Sequence, residues 1–448
     1  MTAAANTMSH QSRTALVLGM GLTGYSIVRF LRSRGVEVSA CDSRDFPPYL
    51  KQIGDEFPDI ELTTGRIPYE QFDAFDQVIV SPGISLEPIH GIQADRLVGD
   101  IELFAREAGA PVIGITGSNG KSTVTMMVSV MLDASGSRVE TGGNIGTPAL
   151  DLLDRSAPDF YVLELSSFQL EITHTLRLVG ATVLNISEDH MDRYGGLSEY
   201  VSAKARIYHH AECAVVNRED ALSPTVKDGV RTLTFGLDEP RSDSDFGLVN
   251  KNGDLLMVRG NRELARVDGM TLQGKQNVAN LLAALALVEA AGVELTDDVI
   301  KAGMNYAGLP HRCEVVTEVS GVRWINDSKG TNVGATVAAI SGIDAPIILI
   351  AGGRGKGANF QPLAQAVHRS VTRTILFGED AQKIAAALGS DNSFTIVASL
   401  DLAITEASAC SQAGDVVLFS PACSSFDMFD SYEHRGNVFK QLVLERVH

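Results

Sequence analysis

Short apolar runs alternate with helix-like stretches along nearly the whole chain. The runs are rich in Val, Ile, Leu and Ala, which is typical of strands that are buried on both faces of a parallel sheet. They lie at residues 15–18, 36–40, 77–80, 112–115, 160–163, 181–185, 214–217, 323–326, 347–351, 374–377 and 416–419. This alternation predicts an α/β protein with mostly parallel sheets.

The pattern divides the chain into three predicted domains. Residues 1–100 predict an N-terminal Rossmann-like domain, and their first thirteen residues resemble a loose tail. Residues 101–308 predict a central phosphate-loop ATPase domain that ends near a long helix over 277–291. Residues 309–448 follow a Gly-Leu-Pro break and predict a second Rossmann-like domain. Polar, alternating residues within 227–266 predict a small antiparallel β addition to the central domain.

A strand, a glycine-rich turn and a helix start follow one another at residues 112–132. Backbone N–H groups and the positive helix end would face a phosphate there, and a lysine would neutralise it. The residues of this loop are Gly117, Ser118, Asn119, Gly120, Lys121, Ser122 and Thr123. The usual spacing requires a glycine where this chain has Ile115. The loop is therefore a variant nucleoside-triphosphate site, with an ordinary glycine-rich turn as the alternative; Ser122 or Thr123 would hold Mg²⁺, and the spacing favours Ser122.

A second fingerprint, G-x-G-x-x-G, spans residues 19–24 after the first strand, and Asp42 follows the next strand. This arrangement is typical of a dinucleotide site, in which the acid binds a ribose hydroxyl. A dehydrogenase is therefore one competing class, and a ligand-free βα turn is another alternative. A UDP-linked substrate offers the same diphosphate and ribose, and it fits better beside a triphosphate loop.

Several polar groups follow later strands, where open parallel sheets bind ligands. Glu164 and the cluster at residues 188–192, which includes His190, are candidate Mg²⁺ ligands. The alternative for Glu164 is a helix N-cap or a surface acid, and the alternative for the cluster is a solvated turn. Lys204 has the ordinary interpretation of a surface lysine. Asp327 and Lys329, together with the loops at 351–357 and 420–427, are candidate anion-binding groups of the third domain.

Composition excludes some classes. The 448 residues are 44% hydrophobic, and no apolar run approaches the roughly 18–20 residues of a membrane span. A formal charge of −18 without a Lys/Arg block argues against nonspecific nucleic-acid binding. Five scattered cysteines without C-x-x-C spacing suggest reduced thiols in a cytoplasmic protein.

Taken together, the motifs resemble those of the Mur ligases, which form amide bonds in peptidoglycan precursors with ATP. The variant loop spacing is typical of that family, and the resemblance covers essentially the whole chain. The segments that carry it are GMGLTG (19–24), SPGI (81–84), GGNIG (142–146), ELSSFQLE (164–171), NISEDHMDRY (185–194), GLPHRCE (308–314), INDSKGTN (325–332) and SPACSSFDMFDSYEHRG (420–436). Among the members, the resemblance favours those that add D-glutamate to UDP-N-acetylmuramoyl-L-alanine.

The resemblance implies a set of site residues. The UDP-substrate would contact Leu22, Thr23, Asp42, Ser43, Arg44, Ser81 and Asn144. ATP would contact the loop 117–123 and also Asn277, Asn280, Arg312, Asp327 and Lys329. D-glutamate would contact Thr331, Lys356, Ser425 and Tyr432, where the family often has Phe at the last position. Two Mg²⁺ ions would be held by Ser122, Glu164, His190 and Lys204.

The same resemblance gives Lys204 a function, because the family carbamylates this lysine with CO₂ and turns a cation into a metal-binding carboxylate. It implies catalytic roles for Lys121, Glu164, His190 and Lys204. We expect a monomer that works through an acyl phosphate and closes its domains around it, with hinges near residue 100 and Gly308. A dehydrogenase would bind NAD(H) instead, and a nucleotide-regulated switch would bind ATP without depending on D-glutamate.

Overall fold

The computed structural model describes residues 14–86, 88–89, 92–93, 95–154, 157–272, 274–389 and 393–447. The predicted tail, 1–13, lies outside the described residues. Twenty strands in these ranges form three separate sheets, each packed between helices. The predicted α/β class with mostly parallel sheets is confirmed.

The first sheet is parallel throughout, with the strand order β3-β2-β1-β4-β5. Its strands and the helices of this part of the chain are β1 (Thr14–Leu18), α1 (Leu22–Ser33), β2 (Glu37–Cys41), α2 (Leu50–Glu56), β3 (Glu61–Thr63), β4 (Gln77–Val80), β5 (Leu97–Gly99) and α3 (Asp100–Glu107). Strand order reverses beside β1, so its carboxyl end opens a crevice, which is where such sheets bind ligands.

The second sheet has nine strands in the order β14-β13-β12-β11-β10-β9-β6-β8-β7. Its strands are β6 (Val112–Thr116), β7 (Val139–Gly143), β8 (Phe160–Glu164), β9 (Gly180–Val183), β10 (Cys213–Asn217), β11 (Arg231–Phe235), β12 (Asp245–Lys251), β13 (Asp254–Arg259) and β14 (Arg262–Arg266). The helices are α4 (Lys121–Ala134), α5 (Ser167–Glu171), α6 (Leu197–Ala205), α7 (Lys275–Ala290) and α8 (Asp297–Met304).

The predicted β addition forms, but it is not a separate antiparallel unit. β11 pairs in parallel with β10, and β12 pairs in parallel with β11, so the central sheet continues outward. Only β13 and β14 add antiparallel strands at the edge. Helix α7 covers this sheet with eleven of its sixteen residues buried, because it contacts the sheet as well as helices α4 and α8.

The third sheet has the order β15-β16-β20-β17-β18-β19, and only its edge strand β15 is antiparallel to its neighbour. The strands are β15 (Glu314–Val319), β16 (Val322–Asn326), β17 (Ile347–Gly352), β18 (Val371–Phe377), β19 (Phe394–Ile396) and β20 (Val416–Phe419). The helices are α9 (Val333–Ser341), α10 (Gln361–Ser370), α11 (Ala381–Leu388), α12 (Leu400–Cys410) and α13 (Tyr432–Arg446).

Short 3₁₀ helices complete the described elements, at Tyr69–Ala74, Ala149–Leu152, Arg206–Tyr208 and Val267–Gly269. None of the described helices combines the length and the apolar character required to span a membrane. The domain boundaries at residues 100 and 308 stay predictions.

Candidate active site

The loop between β6 and α4 has the backbone of an anion cradle. Gly117 has φ 149° and Gly120 has φ 85°, and both values favour glycine. A Cβ on Gly120 would lie 2.6 Å from Asn280 Oδ1, so the loop approaches α7 closely. Lys121 Nζ donates to the carbonyls of Gly117 (2.9 Å) and Ser118 (3.0 Å). Its ammonium therefore lies over the mouth of the loop, where a phosphate would be neutralised.

Residues after β9 hold this loop in shape. The Ser118 N–H donates to Asn185 O (2.8 Å), and the Asn119 N–H donates to Asn185 Oδ1 (2.9 Å). Ser118 Oγ also donates to Ser187 O (2.9 Å). Sequence reasoning missed Asn185 and Ser187, although both lie in the acid-rich segment that it singled out at a strand end.

Glu164 lies at the carboxyl end of β8, next to the loop. It accepts hydrogen bonds from Ser122 Oγ (2.6 Å) and Asn144 Nδ2 (2.7 Å). Burial raises the pKa of Glu164, but the ammonium groups of Lys121 and Lys329 and these two bonds outweigh burial, and the pKa lies below its ordinary value. Glu164 is thus an ionised carboxylate beside a hydroxyl, which is a donor pair suited to Mg²⁺.

Lys204 is not a surface lysine. Only 2% of the residue is exposed, and its Nζ donates to Gly117 O (2.9 Å) above the ring of Tyr200. Burial and the neighbouring charge of Lys121 lower the pKa of Lys204 well below its ordinary value. The sequence pattern could not show this, because a helix of mixed polarity gives no sign of which polar side chain turns inward.

His190 lies on the same side of the loop, with φ 59° and an edge-on contact with Phe168. Burial lowers its pKa to about 4, so the imidazole is neutral at pH 7 and has a free lone pair for a metal ion. A cavity of about 270 Å³ brings the predicted catalytic lysines and histidine together. Its lining includes Pro82, Gly83, Lys121, Asn144, Phe168, Asp189, His190, Tyr200 and Lys204.

A larger cavity of about 750 Å³ opens at the switch point of the first sheet. All seven predicted UDP-substrate residues line it: Leu22, Thr23, Asp42, Ser43, Arg44, Ser81 and Asn144. Asp42 accepts from the Met20 N–H (2.7 Å), and it also accepts from the Arg44 N–H (2.9 Å), Nε (2.9 Å) and Nη2 (2.7 Å). Both of its oxygens are therefore occupied, and Asp42 fixes the direction of Arg44.

Gln169 also lines the larger cavity and was missed, although the ELSSFQLE segment was singled out. Its Oε1 accepts from the Ser166 N–H (3.0 Å), and its Nε2 donates to the buried Asp100 (2.9 Å). These two bonds fix the orientation of the amide.

A third cavity of about 350 Å³ lies between the second and third sheets. The five predicted ATP residues outside the loop all line it: Asn277, Asn280, Arg312, Asp327 and Lys329. Among the described residues, the buried Arg312 Nε has no hydrogen-bond partner, so an anion would satisfy it. Burial raises the pKa of Asp327 to about 6, and burial lowers the pKa of Lys329 to about 8.

The residues predicted for D-glutamate are only partly brought together. Lys329 Nζ donates to Tyr432 Oη (3.2 Å). Lys356 Nζ lies 3.8 Å from Oδ1 of Asp189, and Asp189 lines the cavity of about 270 Å³. Thr331 is half-buried and Ser425 is buried, but neither lines the three cavities described above.

The residues present fit Mg²⁺ held jointly with phosphates. Within the described part of the chain, no group of three or more His, Cys, Asp or Glu forms a ready-made metal site. Mg²⁺ usually retains waters and uses one or two carboxylates plus substrate phosphates. The ionised Glu164 with Ser122 and the neutral His190 provide that kind of donor set.

Three models that describe domains of one protein family match successive parts of the chain. Residues 13–97 match the MurD-like N-terminal domain of Mur ligases, 115–288 match the Mur ligase middle domain, and 311–423 match the Mur ligase glutamate ligase domain.

Individual relatives agree with these matches. The chain is 48% identical to the UDP-N-acetylmuramoylalanine–D-glutamate ligase of Nitrosococcus oceani, over 96% of both chains. It is 47% identical to the protein of that name from Marinobacter nauticus, over 96% of this chain and 98% of the other. The crystal structure of UDP-N-acetylmuramate–alanine ligase from Thermotoga maritima shares the fold, with a TM-score of 0.60 and 18% identity over 96% of this chain and 99% of the other.

Proposed function

The chain belongs to the Mur ligase family, and from that premise we propose which of its residues perform the family reaction. The protein is a ligase that adds D-glutamate to UDP-N-acetylmuramoyl-L-alanine in the synthesis of peptidoglycan precursors. ATP supplies the energy, since a carboxylate is a poor electrophile until it is phosphorylated.

The single observation that carries the residue assignment is the position of the small cavity. It shares Pro82, Gly83 and Asn144 with the large cavity, and it reaches the phosphate loop at Lys121. A substrate whose UDP part fills the large cavity would therefore direct its free carboxylate toward the γ-phosphate of ATP. Reacting groups held this close convert a bimolecular step into an intramolecular one.

The reaction proceeds in two steps. A carboxylate oxygen of the substrate attacks the γ-phosphorus, the bond to ADP breaks, and an acyl phosphate forms. The uncharged amine of D-glutamate then attacks the carbonyl carbon, and the tetrahedral intermediate loses a proton from nitrogen and expels phosphate to leave the amide. Lys121, Arg312 and Lys329 offset the negative charge of the transferring phosphoryl group.

Ser122 and Glu164 would hold one Mg²⁺, and His190 with carbamylated Lys204 would hold a second. When bound, these ions neutralise charge on the phosphates. The lowered pKa of the buried Lys204 amine supports this assignment, because only the uncharged amine attacks CO₂, forming an N–C bond and losing a proton.

The remaining assignments for ATP and the UDP-substrate follow the cavities, and those for D-glutamate follow the family resemblance. The loop 117–123, with Asn277, Asn280 and Asp327, would bind ATP. Arg44 and its neighbours in the large cavity would bind the UDP-substrate. D-glutamate would be held by Thr331, Lys356, Ser425 and Tyr432.

We further propose a cytoplasmic monomer with domains at residues 1–100, 101–308 and 309–448. The five cysteines support the cytoplasmic assignment, because all are free thiols. The domains would hinge near residue 100 and near Gly308, which has φ 93°. Closure would protect the acyl phosphate from water.

One assay tests the proposal. Phosphate release is measured with ATP, Mg²⁺, UDP-N-acetylmuramoyl-L-alanine and D-glutamate, and each component is omitted in turn. We expect turnover only when all four are present. Reduction or oxidation of NAD(H) would favour the dehydrogenase instead, and ATP hydrolysis that is indifferent to D-glutamate would favour the nucleotide switch.

A further inference from the structure

The N-cap of α9 makes polar contacts between the third domain and the phosphate loop. Asn332 caps this helix, because its Oδ1 accepts from the Ala335 N–H (2.8 Å). The other end of the same amide points out of the domain. Asn332 Nδ2 donates to Asn119 Oδ1 (3.3 Å) in the phosphate loop and to Asp189 Oδ2 (3.2 Å) beside His190.

Gly334, two residues further on, shows the same close approach independently. A Cβ at this position would lie 2.7 Å from Ser187 Oγ, 3.0 Å from Ser187 Cβ and 3.2 Å from Asn119 Nδ2. The helix backbone therefore lies directly against the central domain. Its backbone conformation does not require glycine, since no left-handed φ occurs there. Space, not conformation, restricts the side chain at this position.

From these two observations we propose that Asn332 and Gly334 form a closure latch, in which Asn332 is a positioning residue that couples the third domain to the phosphate loop and to Asp189. The latch joins three elements that the reaction needs together. They are the phosphate loop at 117–123, the acidic cluster at 188–192 with His190, and the loop before α9 with Lys329. Capping α9 fixes the orientation of the Asn332 amide. Its N–H group can therefore donate to Asn119 only when the phosphate loop lies beside the start of this helix.

The latch also explains why Asp189 is held on two sides. Its Oδ1 lies 3.8 Å from Lys356 Nζ and its Oδ2 accepts from Asn332, and both partners come from the third domain. In the proposed function Lys356 holds D-glutamate, so we expect the amino acid to replace Asp189 as its partner. Asn332 then keeps the domain closed while Lys356 turns to the incoming amino acid.

Four substitutions separate the latch from the fold. Asn332→Ser keeps a helix cap and removes the amide N–H₂ group that contacts Asn119 and Asp189, whereas Asn332→Asp keeps the cap and places a carboxylate against Asp189. Gly334→Ala improves helix propensity and obstructs closure sterically. Ser399→Ala is the matched control, because Ser399 Oγ caps α12 by accepting from the Leu402 N–H (3.3 Å), away from these contacts.

X-ray scattering is measured with a non-hydrolysable ATP analogue and UDP-N-acetylmuramoyl-L-alanine bound. We expect the unsubstituted protein and Ser399→Ala to be compact, and Asn332→Asp and Gly334→Ala to be more extended. The kinetic measurement rests on the proposed function, and the scattering does not. We expect kcat/KM for D-glutamate to fall roughly tenfold in Asn332→Ser and roughly a hundredfold in Asn332→Asp, with binding of the UDP-substrate unchanged.

Compact scattering for Asn332→Asp and Gly334→Ala would overturn the latch, even if the enzyme proved active as proposed. An equal loss of activity in Ser399→Ala would also overturn it, because a general loss of helix capping would then be sufficient. Extended variants of a protein without D-glutamate-dependent turnover would retain the latch and refute the proposed function.

Discussion

Two glycine-rich loops in this protein have the same local design and different surroundings. Both follow a buried parallel strand and open a helix, after β1 at residues 19–24 and after β6 at residues 117–121. The first loop faces a cavity of about 750 Å³ and contains no lysine. The cation near it is Arg44, which comes from another loop. The second contains Lys121, which lies over its own carbonyls, and it is covered by α9 of the third domain.

The difference shows that a strand–loop–helix motif identifies an anion site but not the anion. What separates the two sites is the cation that meets the ligand and whether a second domain closes over it. A cation supplied by a neighbouring loop suits a ligand that binds and is released intact. A lysine within the loop, covered by another domain, suits a phosphate that is transferred in the absence of water.

The largest expected effect comes from removing the lysine of the second loop. Lys121→Ala should lower phosphate release by about a thousandfold or more, because no other cationic side chain of the loop offsets the γ-phosphate charge during transfer. Binding of UDP-N-acetylmuramoyl-L-alanine, measured by calorimetry, should be unchanged. Thr23→Ala is the matched variant, which should weaken that binding and leave the affinity for ATP unchanged. Loss of both ligands in Lys121→Ala would show that the two loops are not independent.

A smaller but still severe loss of activity is expected when Lys204, the buried lysine that donates to Gly117 of the second loop, is replaced. Lys204→Ala should reduce kcat by about a hundredfold or more, because the carboxylate that carbamylation would supply is absent. Short carboxylic acids such as acetate should restore part of the activity by occupying the space of the removed side chain. Lys227→Ala, at a lysine without a proposed function, is the control and should not respond to acetate. Full activity of Lys204→Ala would refute the carbamate assignment.

A pH dependence distinguishes the ATP site from the open UDP site. Burial lowers the pKa of Lys329 to about 8, so its charge is lost as the pH rises through that value. We expect kcat/KM for ATP to fall about tenfold per pH unit above 8, whereas binding of the UDP-substrate should stay level there. Lys329→Arg keeps its charge in this range and should remove the fall.

As the pH rises above 8, the contribution of Lys329 to the free energy of unfolding should change in the opposite direction to kcat/KM for ATP. Lys329 has its ordinary pKa of 10.5 when unfolded, so between about pH 8 and 10.5 the unfolded chain binds more protons at this residue. The free energy of unfolding contributed by Lys329 therefore rises with pH across this window. If thermal unfolding showed that the protein itself loses stability at pH 8–9, the fall in kcat/KM would have to be assigned to unfolding instead.

Much of the fold could be predicted because strands buried on both faces are continuous apolar runs. The strands Gln77–Val80 and Val416–Phe419 coincide with their predicted bounds. The prediction for the edge of the central sheet was wrong in part, because β11 has the alternating burial of an antiparallel strand but pairs in parallel with both β10 and β12. Alternation reports that one face is exposed, and it does not report strand direction.

The sequence indicates candidate site residues where they belong to one local motif. It does not indicate the residues that contact such a motif from distant parts of the chain. The loop at 117–123 contains its own evidence. Asn185, Ser187 and Asn332, in contrast, contact this loop from other parts of the chain, and nothing in the spacing of the loop indicates them. Asp42 shows a third case, because its position was predicted and its bonding was not.

The smallest expected effect tests how the first loop obtains its cation. Asp42→Asn should raise KM for the UDP-substrate by about fivefold to tenfold, because the amide presents an N–H₂ group where the carboxylate now accepts from Met20 or Arg44. KM for ATP should stay unchanged. Arg44→Ala should raise the same KM by at least as much, and the double variant should be no worse than Arg44→Ala, since residues that act as one unit are not additive. Additive losses would mean that Asp42 contacts the ribose itself, as the fingerprint alone predicts.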